Sequence, residues 1–256
     1  MLAKLKLTLE PEKDGNLNNN KGSLLHGVIM GLLEPEYAEE IHSSGLNPFT
    51  STLTVIDGKY VWYVNALNKT AYKNIIMKLL DDEFNEFLIK HDDMSVKIVS
   101  KELVIKNKSE LLEDFYHKEV QDNYIKIRFI TPTAFKSNGE YIFYPDKYLL
   151  FKSLMNKYSA SSNDENLYDE DTLDEITAKT KIVGYNLKSV KFHMEGIKIP
   201  GFIGNITIKM NGHDTMKRFI RMLLEFGEYS GIGIKCSLGM GMIKLEDNST
   251  YARGGK

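Results

Sequence analysis

Two successive series of apolar patterns constrain the fold of this 256-residue chain more than any other feature. Leu5, Leu7 and Leu9 alternate with polar residues, a pattern typical of a half-buried strand. Segments of helical and strand periodicity follow, and a second alternating segment, Ile125 to Phe129, opens a new series in the same order. Each series gives the order βαββαβ.

The predicted elements of the first series are a strand over Leu5 to Leu9, helices Ser23–Leu33 and Pro35–His42, strands Phe49–Ile56 and Lys59–Val64 around the turn Asp57-Gly58, a helix over 75–88 and a strand Val96–Ile105. A linking helix Leu111–Tyr116 follows. The second series contains a strand over 125–129, a helix Asp146–Tyr158, strands Ile182–Met194 and Gly204–Met210, a helix over 216–227 and a strand Gly239–Leu245. The acidic stretch 163–175 is expected to be a mobile loop.

This order predicts an α+β fold class of tandem ferredoxin-like domains, also called RRM-like. The N-terminal domain is expected to comprise residues 1–120 and the C-terminal domain residues 121–256.

Composition excludes several classes of protein. The single cysteine, Cys236, excludes an internal disulfide and a thiolate-rich metal cage. Charges within the first seven residues and the lack of a long apolar run predict a cytoplasmic protein with no membrane association. The net charge of −2 hides an asymmetry, because residues 178–244 hold eleven Lys and Arg against four Asp and Glu. That excess is either a basic binding surface or a set of solvated faces.

The segment Gly231 to Gly241 holds four glycines in the pattern G-x-G-x5-G-x-G. A dinucleotide-binding turn leaves a strand and enters a helix, whereas this segment leaves a helix and enters a strand. Glycines allow backbone N–H groups to approach an anionic ligand closely, and Lys235 and Ser237 could contact a phosphate. The alternative is a flexible connector. The predicted RNA-binding residues of the segment are Gly231, Gly233, Lys235, Ser237, Gly239 and Gly241.

This segment and its leading helix, MKRFIRMLLEFGEYSG, resemble the C-terminal glycine-rich loop of the CRISPR repeat-processing endoribonucleases of the repeat-associated RNA-binding superfamily. Residues 37–50, YAEEIHSSGLNPFT, are similar to the family segment in which a helix ends at a histidine, and residues 130–145 are similar to the opening of its second half. The resemblance implies a metal-independent endoribonuclease without a cofactor that binds CRISPR repeat RNA and cuts precursor crRNA. Partners would be that RNA, subunits of an interference complex or a second copy of the chain.

By this resemblance His42 takes the position of the catalytic histidine. RNA supplies its own nucleophile, the 2′-hydroxyl, so a histidine needs only to move protons. The expected ends are a 2′,3′-cyclic phosphate and a 5′-hydroxyl. The alternative for His42 is a polar residue at a helix end. His26 is a second catalytic candidate, because a reversal at Pro35 would bring it level with His42; alternatively it packs beside Leu25 and Ile29.

Cationic residues are the remaining candidates. Lys217, Arg218 and Arg221 on the last helix could bind RNA phosphates or form an ordinary solvated face, and Lys136 is a similar candidate. Many members of the family carry a lysine soon after the histidine, but Leu46 to Phe49 contain none. Lys21, Lys136 and Lys235 are the candidate replacements. The missing lysine leaves open a second function, a catalytically inactive RNA-binding scaffold.

The run His91-Asp92-Asp93 is interpreted as a turn rather than as a set of metal ligands, and no metal site is assigned.

Overall fold

The structure is a computed structural model that describes residues 1–12, 17, 21–117, 122–162, 167–194 and 196–246. The first half consists of β1 Leu2–Pro11, α1 Gly22–Leu32, α2 Pro35–Ser43, β2 Phe49–Ile56, β3 Lys59–Ala66, α3 Lys69–Ala71, a π-helical turn Tyr72–Ile76, α4 Met77–Leu80, β4 Glu86–Ile89, β5 Met94–Lys106 and α5 Lys108–His117. The second half consists of β6 Tyr124–Thr133, β7 Phe135–Ser137, β8 Glu140–Ile142, α6 Lys147–Ala160, α7 Glu170–Lys179, β9 Thr180–Met194, β10 Ile197–Met210, α8 Asp214–Ser230, a 3-10 turn Cys236–Leu238 and β11 Ile243–Glu246.

The first sheet is antiparallel and has the strand order β2-β3-β1-β5-β4. Leu5 and Leu7 of β1 are buried on one face, where Leu7 pairs with Trp62 of β3. Ile29 of α1 and Ile76 pack into the same core. The alternation of β1 therefore buries every second side chain beneath the helices.

The second sheet is also antiparallel and has the order β11-β6-β10-β9. Ile127 and Phe129 of β6 are buried against α6 and α8 in a core with Phe151 and Leu223. The Asp146 side chain accepts a hydrogen bond from the backbone N–H of Leu149 and caps α6. In each sheet, the first strand of that sheet (β1 or β6) lies between the third (β3 or β10) and the last (β5 or β11), and the second strand (β2 or β9) lies beside the third. This shared arrangement confirms the predicted tandem ferredoxin-like fold.

Four element predictions were wrong, and the first is the strand predicted over Gly204–Met210, which begins seven residues earlier at Ile197. The helix predicted over 75–88 ends at Leu80, and Phe87 and Leu88 belong to the edge strand β4. The acidic stretch was expected to be a loop, but residues 170–175 lie in α7, which Asp169 caps through the backbone N–H of Thr172; residues 163–166 lie outside the described part of the chain. The closing strand begins at Ile243, because residues 239–242 belong to the glycine-rich loop.

The proposed domain boundary at residues 120 and 121 falls outside the described residues. On either side of it, the strands of the first sheet lie within residues 2–106 and those of the second within 124–246. No helix in the described ranges has both the length and the apolar character that a bilayer span requires.

The two halves meet where α8 ends. The backbone carbonyl of Tyr229 accepts hydrogen bonds from Thr50 Oγ1 at 3.0 Å and Asn65 Nδ2 at 2.9 Å, both on the first sheet. The Lys4 ammonium lies 4.7 Å from the centre of the Tyr229 ring. These contacts place the loop that follows α8 directly beside β2 and the end of α2.

Candidate active site

A cleft of about 540 Å³ lies between the end of α2 and the glycine-rich loop. Its lining comes from four places in the sequence: residues 41–50, the β7–β8 hairpin, the last turn of α6, and the end of α8 with the loop that follows it. The lining residues are Ile41, His42, Ser44, Gly45, Leu46, Asn47, Phe49, Thr50, Lys136, Tyr141, Lys157, Ser230, Gly233, Ile234, Lys235, Cys236, Ser237 and Leu238. The Asn47 amide donates to Ser237 Oγ at 2.7 Å and thus links two of its walls.

His42 lies in the last turn of α2 with an exposed side chain. Pro35 occupies the first turn of this helix, where a proline needs no hydrogen-bond donor. The helix ends at Ser43, and Ser44 Oγ donates to the carbonyl of Ile41 at 2.9 Å. His42 is therefore held at a helix end that opens into the cleft.

The glycines of the loop are needed because the loop folds closely onto the protein's own backbone. Gly231, Gly233, Gly239 and Gly241 all have positive φ angles, between 62° and 110°. A Cβ on Gly233 would lie 2.2 Å from the carbonyl oxygen of Ala134, and one on Gly241 would lie 2.3 Å from that of Ile232. Of the four, Gly233 alone lines the cleft. The other three do not line it.

Most backbone N–H groups of the loop are used within the protein. The donors to internal acceptors are the N–H groups of Gly231, Ile232, Gly233, Ile234, Leu238, Met240 and Gly241. Among the described residues, the N–H groups of Lys235, Cys236 and Ser237 have no acceptor. These three consecutive residues line the cleft, and Lys235 has a left-handed backbone with φ 55°. Such runs of backbone donors are typical of anion-binding sites in proteins.

His26 does not line the cleft but lies behind the loop. Its Nδ1 is 3.2 Å from the carbonyl oxygen of Ser237, and its ring stacks on Phe49 with centroids 5.5 Å apart. Because a carbonyl can only accept, this contact requires the proton on Nδ1. These contacts pack α1 against the loop. The start of α1 also lies close to it, since a Cβ on Gly22 would lie 2.0 Å from the Leu238 carbonyl oxygen.

Comparison with known proteins identifies the family. A sequence profile described as CRISPR-associated endoribonuclease Cas6 matches residues 127–243. The Cas6 of Streptococcus thermophilus is 36% identical over 224 residues, which cover 87% of this chain and 90% of that protein. The Cas6 of Mycobacterium tuberculosis is 32% identical over 246 residues, covering 94% of this chain and 78% of that protein. The chain belongs to the Cas6 family.

Solved Cas6 structures have the same fold. A Cas6 product complex superposes with a TM-score of 0.80 at 23% identity, covering 96% of this chain and 99% of the other. Thermus thermophilus Cas6 gives a TM-score of 0.68 at 20% identity, covering 96% and 98% of the two chains.

The candidate cations of this Cas6-family chain differ in their surroundings. Lys136 and Lys235 line the cleft. Lys21 instead forms an ion pair with Asp92 at 2.5 Å, and the hydrogen bonds from Lys21 and then His91 lower the pKa of Asp92. The residues His91 to Asp93 form the predicted turn between β4 and β5. Among the described residues, His, Cys, Asp and Glu side chains form no group of three or more that could hold a metal ion.

The three predicted RNA-binding residues of α8 are separated from the cleft. Lys217 and Arg221 precede Gly231 by fourteen and ten residues, which corresponds to roughly 21 and 15 Å along the helix axis. Lys217 pairs with Asp214 at 3.2 Å, and Arg218 donates to Thr215 Oγ1 at 3.4 Å. Arg221 donates to the carbonyl of Asp122 at 3.0 Å. The structure does not bring these three residues together with His42.

Sequence reasoning missed Lys157, Asn47 and Tyr141 as residues of the cleft. Lys157 carried a usable signal, because it lies three residues after Leu154 on the apolar face of α6. A lysine at such a position is buried and therefore needs partners.

Proposed function

We propose that this chain is a metal-independent endoribonuclease that binds CRISPR repeat RNA in the cleft and cuts precursor transcripts into guide RNAs. One observation carries the proposal. An exposed histidine, His42, and a loop with free backbone donors line the same cleft. Family membership supports the proposal, since the curated relatives are named as CRISPR-associated endoribonucleases.

The chemistry uses the 2′-hydroxyl of the RNA as nucleophile. His42 transfers a proton to or from the reacting oxygens, either removing it from the 2′-hydroxyl or delivering it to the departing 5′-oxygen. The 2′-oxygen forms a bond to phosphorus as the bond from phosphorus to the 5′-oxygen breaks. The products are a 2′,3′-cyclic phosphate and a 5′-hydroxyl, and no water is consumed in this step.

The loop binds the phosphate on which His42 acts. The N–H groups of Lys235, Cys236 and Ser237 donate to phosphate oxygens, and the ammonium groups of Lys235 and Lys136 add positive charge. Gly233 allows the RNA backbone to approach the loop. The charge that develops in the transition state is therefore stabilised without a lysine in Leu46 to Phe49.

His26 supports this site from behind, because its Nδ1 contacts the Ser237 carbonyl rather than the cleft. Through this contact His26 holds the glycine-rich loop in position next to His42. Lys217, Arg218 and Arg221 bind more distant phosphates of a longer RNA along α8.

The test uses repeat RNA from the host's CRISPR array and a series of copies, each with one 2′-deoxy nucleotide. In EDTA, wild-type protein is expected to cut the all-ribose RNA and every copy except the one altered at the scissile nucleotide. Cleavage that stops in EDTA and returns with Mg²⁺ would refute the metal-independent chemistry. Cleavage of every deoxy copy would refute attack by the 2′-hydroxyl.

The lack of a lysine in residues 46–49, which lie beside His42, favours one alternative: a catalytically inactive RNA-binding scaffold. The same experiment separates the two functions. Tight binding of the repeat RNA without cleavage of any copy would establish the scaffold and rule out the enzyme.

A further inference from the structure

The side chain of Lys157 is a buried lysine at the base of the cleft. It lies in the last turn of α6 and is 8% exposed. Its Nζ lies 3.2 Å from the carbonyl oxygen of Ser230, 3.1 Å from that of Gly231 and 2.9 Å from Cys236 Sγ. An ammonium group has three donors, and these three contacts use them all.

The charge of Lys157 has no acidic counterpart in the described part of the chain. Its contacts there are two carbonyls and a thiol, and no carboxylate forms an ion pair with it. Buried charges in proteins are normally paired, because removing a charge from water is costly. An unpaired ammonium in the wall of a cleft therefore favours an anionic ligand in that cleft.

The contacts of Lys157 also fix the glycine-rich loop. Gly231 and Cys236 are two points of that loop, and Lys157 holds both to the end of α6. The loop then presents the N–H groups of residues 235–237 to the cleft. The same side chain thus supplies a charge and sets the position of the backbone donors.

We propose that Lys157 is the buried cation of the RNA-binding site, a positioning residue that orders the loop and attracts the RNA phosphate by its charge. This inference rests on the proposed function and assigns to Lys157 part of the role left by the missing lysine after His42. Because its three donors are occupied, Lys157 acts through its charge and through the loop rather than by direct contact with reacting atoms.

The test compares neutral and charged variants of this position. Lys157→Gln removes the charge and keeps donors for the two carbonyls, Lys157→Met removes both, and Lys157→Arg keeps the charge. Lys152→Gln is the matched control, since Lys152 lies on the same helix beside the Tyr148 and Tyr168 rings and does not line the cleft. Thermal unfolding checks each variant. None of the substitutions removes Ser230 Oγ, which also donates a hydrogen bond to the Gly231 carbonyl.

Binding is measured with a fluorescein-labelled 2′-O-methyl repeat RNA, which cannot be cut, between about 50 and 200 mM KCl. For Lys157→Gln we expect about tenfold weaker binding at low salt. The slope of log K against log salt should be shallower by about 0.7, the value for one phosphate contact on a single strand. Lys157→Met should bind more weakly still, because the loop also loses its hydrogen bonds. Lys157→Arg and Lys152→Gln should keep the wild-type slope.

A wild-type slope for both neutral variants would overturn the role of the charge, even if affinity falls in parallel at every salt concentration. An equal change of slope in Lys152→Gln would also overturn it, because the effect would then follow from net charge. If wild-type protein fails to bind the RNA at all, the proposed function and this inference both fail.

Discussion

The His42 side chain is exposed, and in the proposed mechanism it acts only after RNA is bound, so its removal should separate chemistry from affinity. For His42→Ala we expect cleavage of repeat RNA to slow by about 10²- to 10⁴-fold, the usual contribution of a general acid or base. Affinity for uncut RNA should change little. Single-turnover cleavage and fluorescence anisotropy measure the two quantities.

The matched control is His91→Ala, because His91 is 77% exposed and lies outside the cleft. This variant should cut at the wild-type rate. Equal losses in the two variants, or wild-type cleavage by His42→Ala, would contradict the assignment of His42.

Sequence reasoning selected His42, Lys136 and Lys235, and all three line the cleft. It selected them from local patterns and a family resemblance, which carry information about single segments. Lys157 was missed because its contacts join residues more than seventy positions apart. Lys217 and Arg221 were selected because their helix leads to the loop. Each helical residue adds about 1.5 Å along the axis, so residues ten or more positions before the loop lie far from it.

The glycine-rich loop depends on backbone conformations that other residues adopt only with strain. For Gly233→Ala, with φ 83° and a Cβ that would lie 2.2 Å from the Ala134 carbonyl oxygen, we expect the free energy of unfolding to fall by about 1–3 kcal/mol. RNA affinity should fall as well. Urea unfolding and RNA titration measure both effects.

Gly27→Ala is the control for this substitution. Gly27 lies inside α1, and a Cβ there would have no atom within 4 Å. Alanine should stabilise this helix by up to about 1 kcal/mol and leave RNA binding unchanged. A Gly233→Ala protein as stable as wild type would show that the loop tolerates a side chain at this point.

The start of α1 is fastened to the β4–β5 turn by the ion pair of Lys21 with Asp92. Because hydrogen bonds from Lys21 and then His91 lower the folded pKa of Asp92, its stabilising effect is present above the unfolded pKa of about 3.9 and is lost as pH falls through the folded value. Asp92→Asn should therefore be less stable than wild type at pH 7, by at most about 1 kcal/mol.

Urea unfolding at pH 7 and near pH 2 tests this pH dependence, with the difference between the two proteins closing at the lower pH. Asp93→Asn removes the same charge one residue later, at a position with φ 47° that asparagine readily adopts. It should unfold like wild type at both pH values. A difference between Asp92→Asn and wild type that persists near pH 2 would contradict the electrostatic explanation.

At the level of elements, sequence periodicity predicted β2 from Phe49 to Ile56 and the end of β9 at Met194 correctly. It was wrong at Phe87 and Leu88, because a short apolar run after a helix fits a further helical turn and an edge strand equally well. It was also wrong at Glu170, where dense acidic charge suggested a loop. Asp169 and the acids of the first turn instead favour a helix N-terminus.

For the whole molecule, the order of elements predicted two ferredoxin-like units but not how they pack together. One of several contacts between them is the carbonyl of Tyr229, which accepts hydrogen bonds from Thr50 and Asn65. Nothing in the local sequence of these three residues indicates that they meet. Such contacts, together with the hydrogen bond from Asn47 to Ser237, bring the end of α2 and the loop after α8 into one site.

The central claim is that RNA supplies the attacking oxygen while His42 and the loop act on one phosphate. Mass spectrometry of the RNA fragments made by wild-type protein tests it most directly. We expect a 2′,3′-cyclic phosphate on the upstream fragment, a 5′-hydroxyl on the downstream fragment, and far less of both fragments from His42→Ala in the same time. A 3′-hydroxyl paired with a 5′-phosphate would show that water attacked instead and would contradict the account.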